Sequence, residues 1–430
     1  MSSTARSGRL RKALTIGIAA TFVASLAACA PTQADGSNVT LTVWSWRPED
    51  VDSYNKIFDV FEKENPGITV EFKAFKATEY NQILATGLAG SEGPDVPQVR
   101  SFGDLQPTVA AGSLVALDDD IDFSTWDQNL VATALGAEDG KIYAVPLARQ
   151  MWQMYYNKDL FEQEGLEVPT TWDEFIDVNQ ALLDADLIPM SLGAKDSWTL
   201  PLTHEVVAAS RFGGGEFAEK RVTGQTDFTD PDWVASTEVF GELAKFFPKD
   251  TTGITFGDAQ ALFTSERAGM FPGGAADLAP LQAANPDLNI GVFQVPAAPD
   301  SPEGSGATTA NWADGNFGLS SKSKHPEEAL ALIKWMATPE FGQMVADDIK
   351  QISAVPGVQP SDPILREMNE LANASGSPYL LYSGFCGGSP CGITTWGSGL
   401  QELLLGSKDA ATISKELEES VSWFTPTAAQ

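Results

Sequence analysis

Residue types that could carry out catalysis are present, but their spacing forms no recognised catalytic pattern. The chain has 58 acidic residues, so a carboxylate pair suited to glycoside hydrolysis can always be imagined and carries little weight. The sequence contains no Gly-x-Ser-x-Gly turn, His-Glu-x-x-His pair or phosphate-binding loop. Its two histidines, His204 and His325, are far apart along the chain. We therefore predict no catalytic residue and no enzymatic activity.

Composition also argues against several kinds of ligand. With 2 histidines and 3 cysteines, a zinc site built from these residues is nearly excluded. The net charge of -31 would repel nucleic acid and anionic lipid headgroups, and it favours neutral or cationic ligands. An acidic surface that serves only solubility explains the charge equally well. We predict no metal, no cofactor and no nucleic-acid partner.

The first cysteine lies at the end of a segment typical of secretion signals. The first twelve residues carry four basic side chains and no acidic one, and an apolar run over residues 13–26 follows that is too short to span a bilayer. The run ends in Leu26-Ala27-Ala28-Cys29, which resembles the lipobox of bacterial lipoproteins, where the cysteine thiol takes the lipid. We predict a signal peptide over residues 1–28, lipidation of Cys29 and a polar tether over residues 29–38. The alternative is a plain secretory peptide with an incidental cysteine.

Two cysteines remain near the C-terminus once Cys29 carries lipid. Cys386 and Cys391 are separated by four small residues. Outside the cytoplasm thiols oxidise readily, so the two are expected to form a structural disulfide.

Secondary-structure signals alternate between strands and helices. Residues 39–46 (VTLTVWSW) have the β-branched and aromatic character of a buried first strand, and a helix pattern follows from Pro48. Later, Thr171 and His325 precede segments with the capping and apolar spacing of helix starts. This alternation predicts α/β structure with parallel sheets, and about 390 mature residues suggest two domains.

Several stretches, in order, resemble the extracellular solute-binding proteins of ABC importers, in the sugar-binding group that includes maltose-binding protein. They are GPDV at 93–96, AGSL at 111–114, GKIYAVP at 140–146, YNKDLF at 156–161, TWDEF at 171–175 and FTSERAGM at 263–270. Each motif is weak alone, but together they cover roughly residues 40–425.

The resemblance implies two discontinuous α/β lobes with a ligand cleft between them, as in type II periplasmic binding proteins. Lobe 1 is expected at residues 39–149 and 313–353, and lobe 2 at residues 150–312 and 354–430. The chain should cross between lobes near residues 149–153, 312–317 and 352–356. Such lobes close around a ligand by a hinge motion.

A sugar site needs aromatic faces for the C–H surface of the ring and fixed polar groups for its hydroxyls. Strand ends and the implied crossings supply candidates, of which Trp396 is the strongest and Trp46 equally suits the core. Residues 271–277 depart from the family, since Ala275 and Ala276 stand where relatives often carry a tryptophan. Trp126, Trp172, Trp233, Trp335 and Trp423 are expected to pack internally. The predicted ligand-binding residues are Trp46, Arg47, Arg100, Ser101, Gln150, Trp152, Asp196, Trp198, Trp312, Asp314, Phe385 and Trp396.

The resemblance implies a function without chemistry on the ligand. The protein would be a monomer held by lipid at the outer face of the cytoplasmic membrane, binding a neutral oligosaccharide and passing it to the permease of an ABC transporter. A monosaccharide or sugar alcohol is the alternative ligand. A secreted glycoside hydrolase and a surface carbohydrate adhesin are the alternative classes of protein.

Overall fold

The computed structural model describes residues 38–386 and 388–426. Cys29 and the predicted signal peptide lie outside the described residues. Within the described ranges the strands are β1 (Val39–Ser45), β2 (Ile68–Ala74), β3 (Val96–Val99), β4 (Leu114–Val115), β5 (Ala144–Val145), β6 (Ala148–Asn157), β7 (Ile188–Met190), β8 (Ala268–Gly274), β9 (Ile290–Phe293), β10 (Thr309–Asp314), β11 (Asn316–Ser320), β12 (Ile352–Ser353) and β13 (Gly376–Pro378).

Helices separate most of these strands. In the described part of the chain they are α1 (Val51–Glu64), α2 (Ala77–Ala89), α3 (Gln106–Ala110), α4 (Gln128–Val131), α5 (Lys158–Glu164), α6 (Trp172–Asp184), α7 (Thr199–Phe212), α8 (Gly214–Val222), α9 (Pro231–Glu242), α10 (Phe256–Thr264), α11 (Leu278–Ala284), α12 (Pro326–Met336), α13 (Pro339–Asp348), α14 (Pro363–Ser375), α15 (Leu380–Phe385), α16 (Gly392–Leu404) and α17 (Ala410–Ser420).

The predicted helix starts are confirmed at two places. Thr171 caps α6: its hydroxyl oxygen accepts from the Glu174 backbone N–H, and the Glu174 carboxylate accepts from the Thr171 N–H in return. His325 precedes α12, which begins with a proline and buries one apolar face. No helix in residues 38–386 or 388–426 is long and apolar enough to cross a membrane.

The first sheet has the strand order β2-β1-β3-β11-β4, with β5 also paired to β11. β1 lies parallel to β2 and β3, as the alternation of strands and helices predicts. β11 runs antiparallel to its neighbours. The chain enters β11 directly from β10 of the second sheet. A parallel pairing would require a crossover connection, usually a helix, and none lies between β10 and β11.

The second sheet has the order β13-β10-β6-β8-β7, with β9 and β12 also paired to β6. The long strand β6 is antiparallel to β8, β9, β10 and β12. The expectation of parallel sheets therefore fails here, and parallel pairing is confined to β7 with β8 and β13 with β10. The mixed α/β architecture with two sheets is that of a two-lobed binding protein.

Short segments link the two sheets. β5 belongs to the first sheet, and β6 of the second begins three residues after it. Gly315 alone separates β10 from β11, with a left-handed φ of 77° that glycine adopts without strain. A third segment contains β12, which pairs with the start of β6. The exact lobe boundaries stay a prediction, because sheet membership alone does not define them.

Each sheet has its own apolar core. Phe58, Phe61 and Trp335 pack with the first sheet, and Trp233, Phe240 and Trp396 pack with the helices beside the second. The sulfur atoms of Cys386 and Cys391 lie at disulfide-bonding distance just after α15. Phe385 of this second core immediately precedes Cys386.

Candidate functional site

A cavity of about 180 Å³ lies where the segments linking the two sheets meet. Elements of both sheets contribute to its wall, so a ligand there would contact both. The lining residues are Trp46, Arg47, Gln98, Leu147, Gln150, Trp152, Trp198, Gly274, Ala276, Asp277, Trp312, Asp314, Gly315 and Gln351.

On the side of the first sheet, Trp46 follows the end of β1. Its ring is 6 % exposed and packs against Tyr80, with ring centres 5.5 Å apart. The Arg100 guanidinium lies over the same ring, 3.8 Å from its centre, and Arg100 Nη1 is 3.6 Å from an Asp314 carboxylate oxygen. A cation thus already covers the Trp46 ring, so this tryptophan contributes an edge to the cavity instead of a free stacking face.

On the side of the second sheet, three aromatic rings form a wall. Trp152 on β6 stacks on Phe256 with ring centres 5.8 Å apart. Trp198 meets both rings edge to face, at 5.9 Å from Trp152 and 5.0 Å from Phe256. Trp198 remains 46 % exposed, whereas Trp152 is 6 % exposed. Trp198 is therefore an open aromatic surface held in place by the buried ring of Trp152 and the partly buried ring of Phe256, the arrangement that ring stacking requires.

A glycine beside the aromatic wall gives Trp152 the space that its ring needs. A Cβ atom added to Gly274 would lie 2.7 Å from Trp152 Nε1, closer than real Cβ atoms approach other heavy atoms. Ala276, two residues on, also lines the cavity. The absence of a side chain at Gly274 thus makes room for Trp152.

Two carboxylates reach the cavity. Asp277 is partly buried, and its oxygens accept from the Gly274 backbone N–H at 2.7 Å and from Gln260 Nε2 at 3.1 Å. Burial raises the pKa of Asp277 from 3.8 to about 6, although the nearby charge of Arg47 opposes the shift. Burial also raises the pKa of Asp314, and Arg100 opposes that rise.

Three glutamine amides complete the polar lining. Gln98 Nε2 donates to the Gly315 carbonyl oxygen at 3.0 Å, which ties β3 to the segment between β10 and β11. Gln150 Nε2 donates to Gln351 Oε1 at 3.2 Å. No group of three or more His, Cys, Asp or Glu side chains within residues 38–386 and 388–426 is arranged to hold a metal ion. The cavity thus combines one open aromatic face with amides, carboxylates and indole groups, and can bind an uncharged polar ligand.

Residues 46–343 match the family model described as bacterial extracellular solute-binding protein. This match covers well over half of the chain. The chain belongs to this family. Its two-sheet fold and a cavity lined from both sheets agree with that membership.

Named relatives of this solute-binding protein include the multiple sugar-binding protein of Streptococcus mutans, 28 % identical over 80 % of this chain and 82 % of the relative. A structure from a study of xylan utilization by Caldanaerobius polysaccharolyticus has a TM-score of 0.77 at 24 % identity, over 89 % of this chain and 100 % of that one. RafE of Streptococcus pneumoniae in complex with raffinose has a TM-score of 0.73 at 24 % identity, over 91 % of this chain and 100 % of RafE. At these identities the two structures show a shared fold.

Most of the predicted ligand-binding residues come together in the solute-binding protein's cavity. Arg100 does not line the cavity, but its guanidinium contacts Trp46 and Asp314, which do. The predicted residues that line the cavity itself are Trp46, Arg47, Gln150, Trp152, Trp198, Trp312 and Asp314.

Two other predicted residues support the site from behind. Ser101 is fully buried and its hydroxyl donates to the Ala313 carbonyl oxygen, beside Trp312. An Asp196 carboxylate oxygen accepts from the Phe256 backbone N–H at 2.7 Å, which holds the start of α10 and therefore one ring of the aromatic wall. Neither side chain lines the cavity.

Phe385 and Trp396 do not line the cavity either, so the structure does not support their predicted role as ligand contacts. Both rings are 0 % exposed. Trp396 packs 5.2 Å from Trp233 and 5.5 Å from His204, while Phe385 packs 5.0 Å from Phe228. Trp396 is buried because of its position in α16. This helix begins at Gly392, so Trp396 lies on the same buried face as Leu400, one turn further along.

Several lining residues were missed from the sequence. Gln98, Asp277 and Gln351 carry polar groups at the cavity, and Phe256 supports its aromatic wall. Gln98 lies on the buried strand β3, two residues before the predicted Arg100, so the strand end was a usable signal. Gln351 and Asp277 reach the cavity only through long-range packing, which no local pattern reveals.

Proposed function

We propose that this protein binds a neutral oligosaccharide in the cavity, outside the cytoplasm, and delivers it unchanged to the permease of an ABC importer. The observation that carries the proposal is the half-exposed Trp198 ring, fixed by Trp152 and Phe256 beside unpaired polar groups. Such a ring stacks on the C–H face of a sugar while amides and carboxylates bind its hydroxyls.

Family membership and relatives named for sugar binding support the same function. The multiple sugar-binding protein aligns over most of both chains. RafE with raffinose shares the fold. The cavity lining combines Arg47 with Asp277 and Asp314, so it offers no cluster of basic side chains for an anion and favours an uncharged ligand.

A glycoside hydrolase is the alternative that one observation favours, because a carboxyl group with a pKa of about 6 suits a general acid. Both oxygens of Asp277, however, accept hydrogen bonds that hold the Gly274 turn and α10. We therefore assign Asp277 to positioning the cavity wall.

Calorimetry of the purified protein tests the proposal, with melibiose, raffinose, maltotriose, xylotriose and chitobiose as titrants. We expect at least one to bind, and chromatography of the mixture should recover it intact. Mannitol, single hexoses and a charged amino acid are the comparison ligands. Binding of a charged solute with no response to any neutral sugar would reject the proposal, and cleavage of the sugar would establish the hydrolase.

We also propose that lipid on Cys29 holds the monomeric protein at the outer face of the membrane. Cys29 lies outside the described residues, so the proposal rests on the Leu26-Ala27-Ala28-Cys29 sequence. Cys29→Ser should leave the protein unprocessed or release it into the medium. A Cys29→Ser protein that is still acylated and sediments with membranes would contradict the anchor.

A further inference from the structure

Three polar atoms at the cavity have no hydrogen-bond partner among residues 38–386 and 388–426. They are Trp312 Nε1, Asp314 Oδ1 and Gln351 Nε2. Gln351 is 2 % exposed and Trp312 is 8 % exposed. Polar groups this deeply buried are nearly always hydrogen-bonded in folded proteins, so unpaired ones on residues that line a cavity indicate which groups the cavity binds.

The hydrogen-bonding character of these three atoms is complementary to hydroxyl groups. The indole N–H of Trp312 and the amide N–H of Gln351 donate, while the Asp314 carboxylate oxygen accepts. A sugar hydroxyl can donate and accept at the same time. Sugar hydroxyls can therefore satisfy all three atoms, whereas an anion would satisfy only the two donors.

The amide of Gln351 is hydrogen-bonded to the amide of its neighbour Gln150. Gln150 Nε2 donates to Gln351 Oε1 at 3.2 Å, which leaves the Nε2 group of Gln351 free to donate. Gln150 lies directly opposite Trp312 in the pairing of β6 with β10, and Gln351 immediately precedes β12, which pairs with the same strand. The strand β6 thus gathers side chains from all three linking segments.

We propose that Gln351 is a specificity-determining residue whose amide N–H donates to a ligand hydroxyl, acting together with Trp312 Nε1 and Asp314 Oδ1 on the hydroxyl groups of the ligand. Gln150 is the positioning residue that holds this amide. The inference rests on the proposed binding of a neutral sugar, and it names the part of the ligand that is recognised at the linking segments.

A double variant separates this role from a structural one. Gln150→Met/Gln351→Met removes both partners of the amide pair together and fills a similar volume, so no broken hydrogen bond remains between them. We expect the melting temperature without ligand to stay the same or rise, because an unpaired buried amide is removed. Affinity for the tightest-binding sugar of the panel should fall by about 10- to 100-fold, since a hydroxyl loses its partner.

Two single variants complete the experiment. Gln351→Glu keeps the shape but replaces the free donor with an acceptor, and should weaken binding at least as much. Gln343→Glu is the matched control: Gln343 Nε2 bonds to Asp347 and to the Gln359 carbonyl oxygen, and the residue does not line the cavity. Gln343→Glu should bind the sugar as the unaltered protein does.

Monodeoxy analogues of the bound sugar locate the hydroxyls. Removing one particular hydroxyl should weaken binding to the unaltered protein but hardly affect the double variant. If the double variant binds the sugar normally, or if it melts much earlier and keeps its affinity, Gln351 is structural and the inference is wrong. If the unaltered protein binds no neutral sugar, the proposed function itself fails.

Discussion

The two most informative tryptophans of this protein lie in regions with opposite character. Trp198 is 46 % exposed at the cavity wall, and Trp396 is 0 % exposed in the core beside the second sheet. Both follow polar residues in the sequence, and the resemblance to the family predicted both as ligand contacts. The difference lies in helix register, because α7 begins just after Trp198 whereas α16 begins four residues before Trp396.

The two regions are nevertheless in contact through α16. Gln401 Nε2 donates to the Ala194 carbonyl oxygen at 2.7 Å, and Gly397 packs directly on the backbone of Ser197. The helix that buries Trp396 therefore also supports the loop that presents Trp198. A core residue can thus influence the site without touching the ligand.

The largest expected effect is on the core tryptophan. Trp396→Ala removes a fully buried ring that packs on Trp233 and His204, and should lower the free energy of unfolding by about 3–5 kcal/mol. Protein that remains folded should bind the sugar nearly normally, because the ring lies outside the cavity. Denaturant unfolding without ligand and calorimetry on the folded fraction measure the two quantities. A stable variant with strongly reduced affinity would return Trp396 to the binding site.

The second effect is expected at the cavity wall. Trp198→Ala should weaken sugar binding by about 2–4 kcal/mol, the usual range for an aromatic anchor in a binding site. Its stability without ligand should change little, because nearly half of the ring is already exposed. Trp423→Ala is the matched control, since Trp423 donates its indole N–H to the Pro390 carbonyl oxygen away from the cavity. Unchanged affinity in Trp198→Ala would remove the stacking surface from the proposal.

An intermediate effect should appear where the two regions meet. A Cβ atom at Gly397 would collide with the Ser197 carbonyl oxygen, so Gly397→Ala must displace the loop that carries Trp198. We expect a loss of about 1–3 kcal/mol in stability together with weaker sugar binding. Gly241→Ala in α9 is the control, because its added methyl would meet Leu403 at an ordinary 3.5 Å. If Gly397→Ala changes stability alone, α16 does not position the site.

The comparison also shows which features of the fold and the site could be predicted from the sequence. The β-branched run of β1 and the cap at Thr171 are local signals, so these elements were predicted correctly. Trp152 and Trp198 were predicted because they follow strand or loop positions that resemble the family. Gln351 was missed because its burial depends on the pairing of β12 with β6, some 200 residues earlier in the chain. Trp396 was misplaced because it was expected just ahead of a helix, whereas α16 begins four residues earlier and carries the ring on its buried face.

The smallest expected effect concerns Asp277, the cavity carboxyl whose pKa burial raises to about 6. Below about pH 3 the carboxyl is protonated in both the folded and the unfolded chain, because the ordinary pKa of an aspartate is 3.8. As the pH rises toward 6, the unfolded chain loses this proton first, so the folded state binds more protons and the free energy of unfolding falls.

Asp277→Asn cannot titrate, and its amide oxygen can still accept from the Gly274 N–H. Unfolding curves at pH 4, 5, 6 and 7 should therefore show the unaltered protein losing about 1 kcal/mol relative to Asp277→Asn, after allowance for its partial exposure. The change should be complete near pH 7, because the folded-state pKa is then passed. A bound sugar that further shields Asp277 from water should move the transition to higher pH, which would place this titration at the cavity and not in the core around Trp396. Parallel pH profiles for the two proteins would show that Asp277 has no shifted pKa.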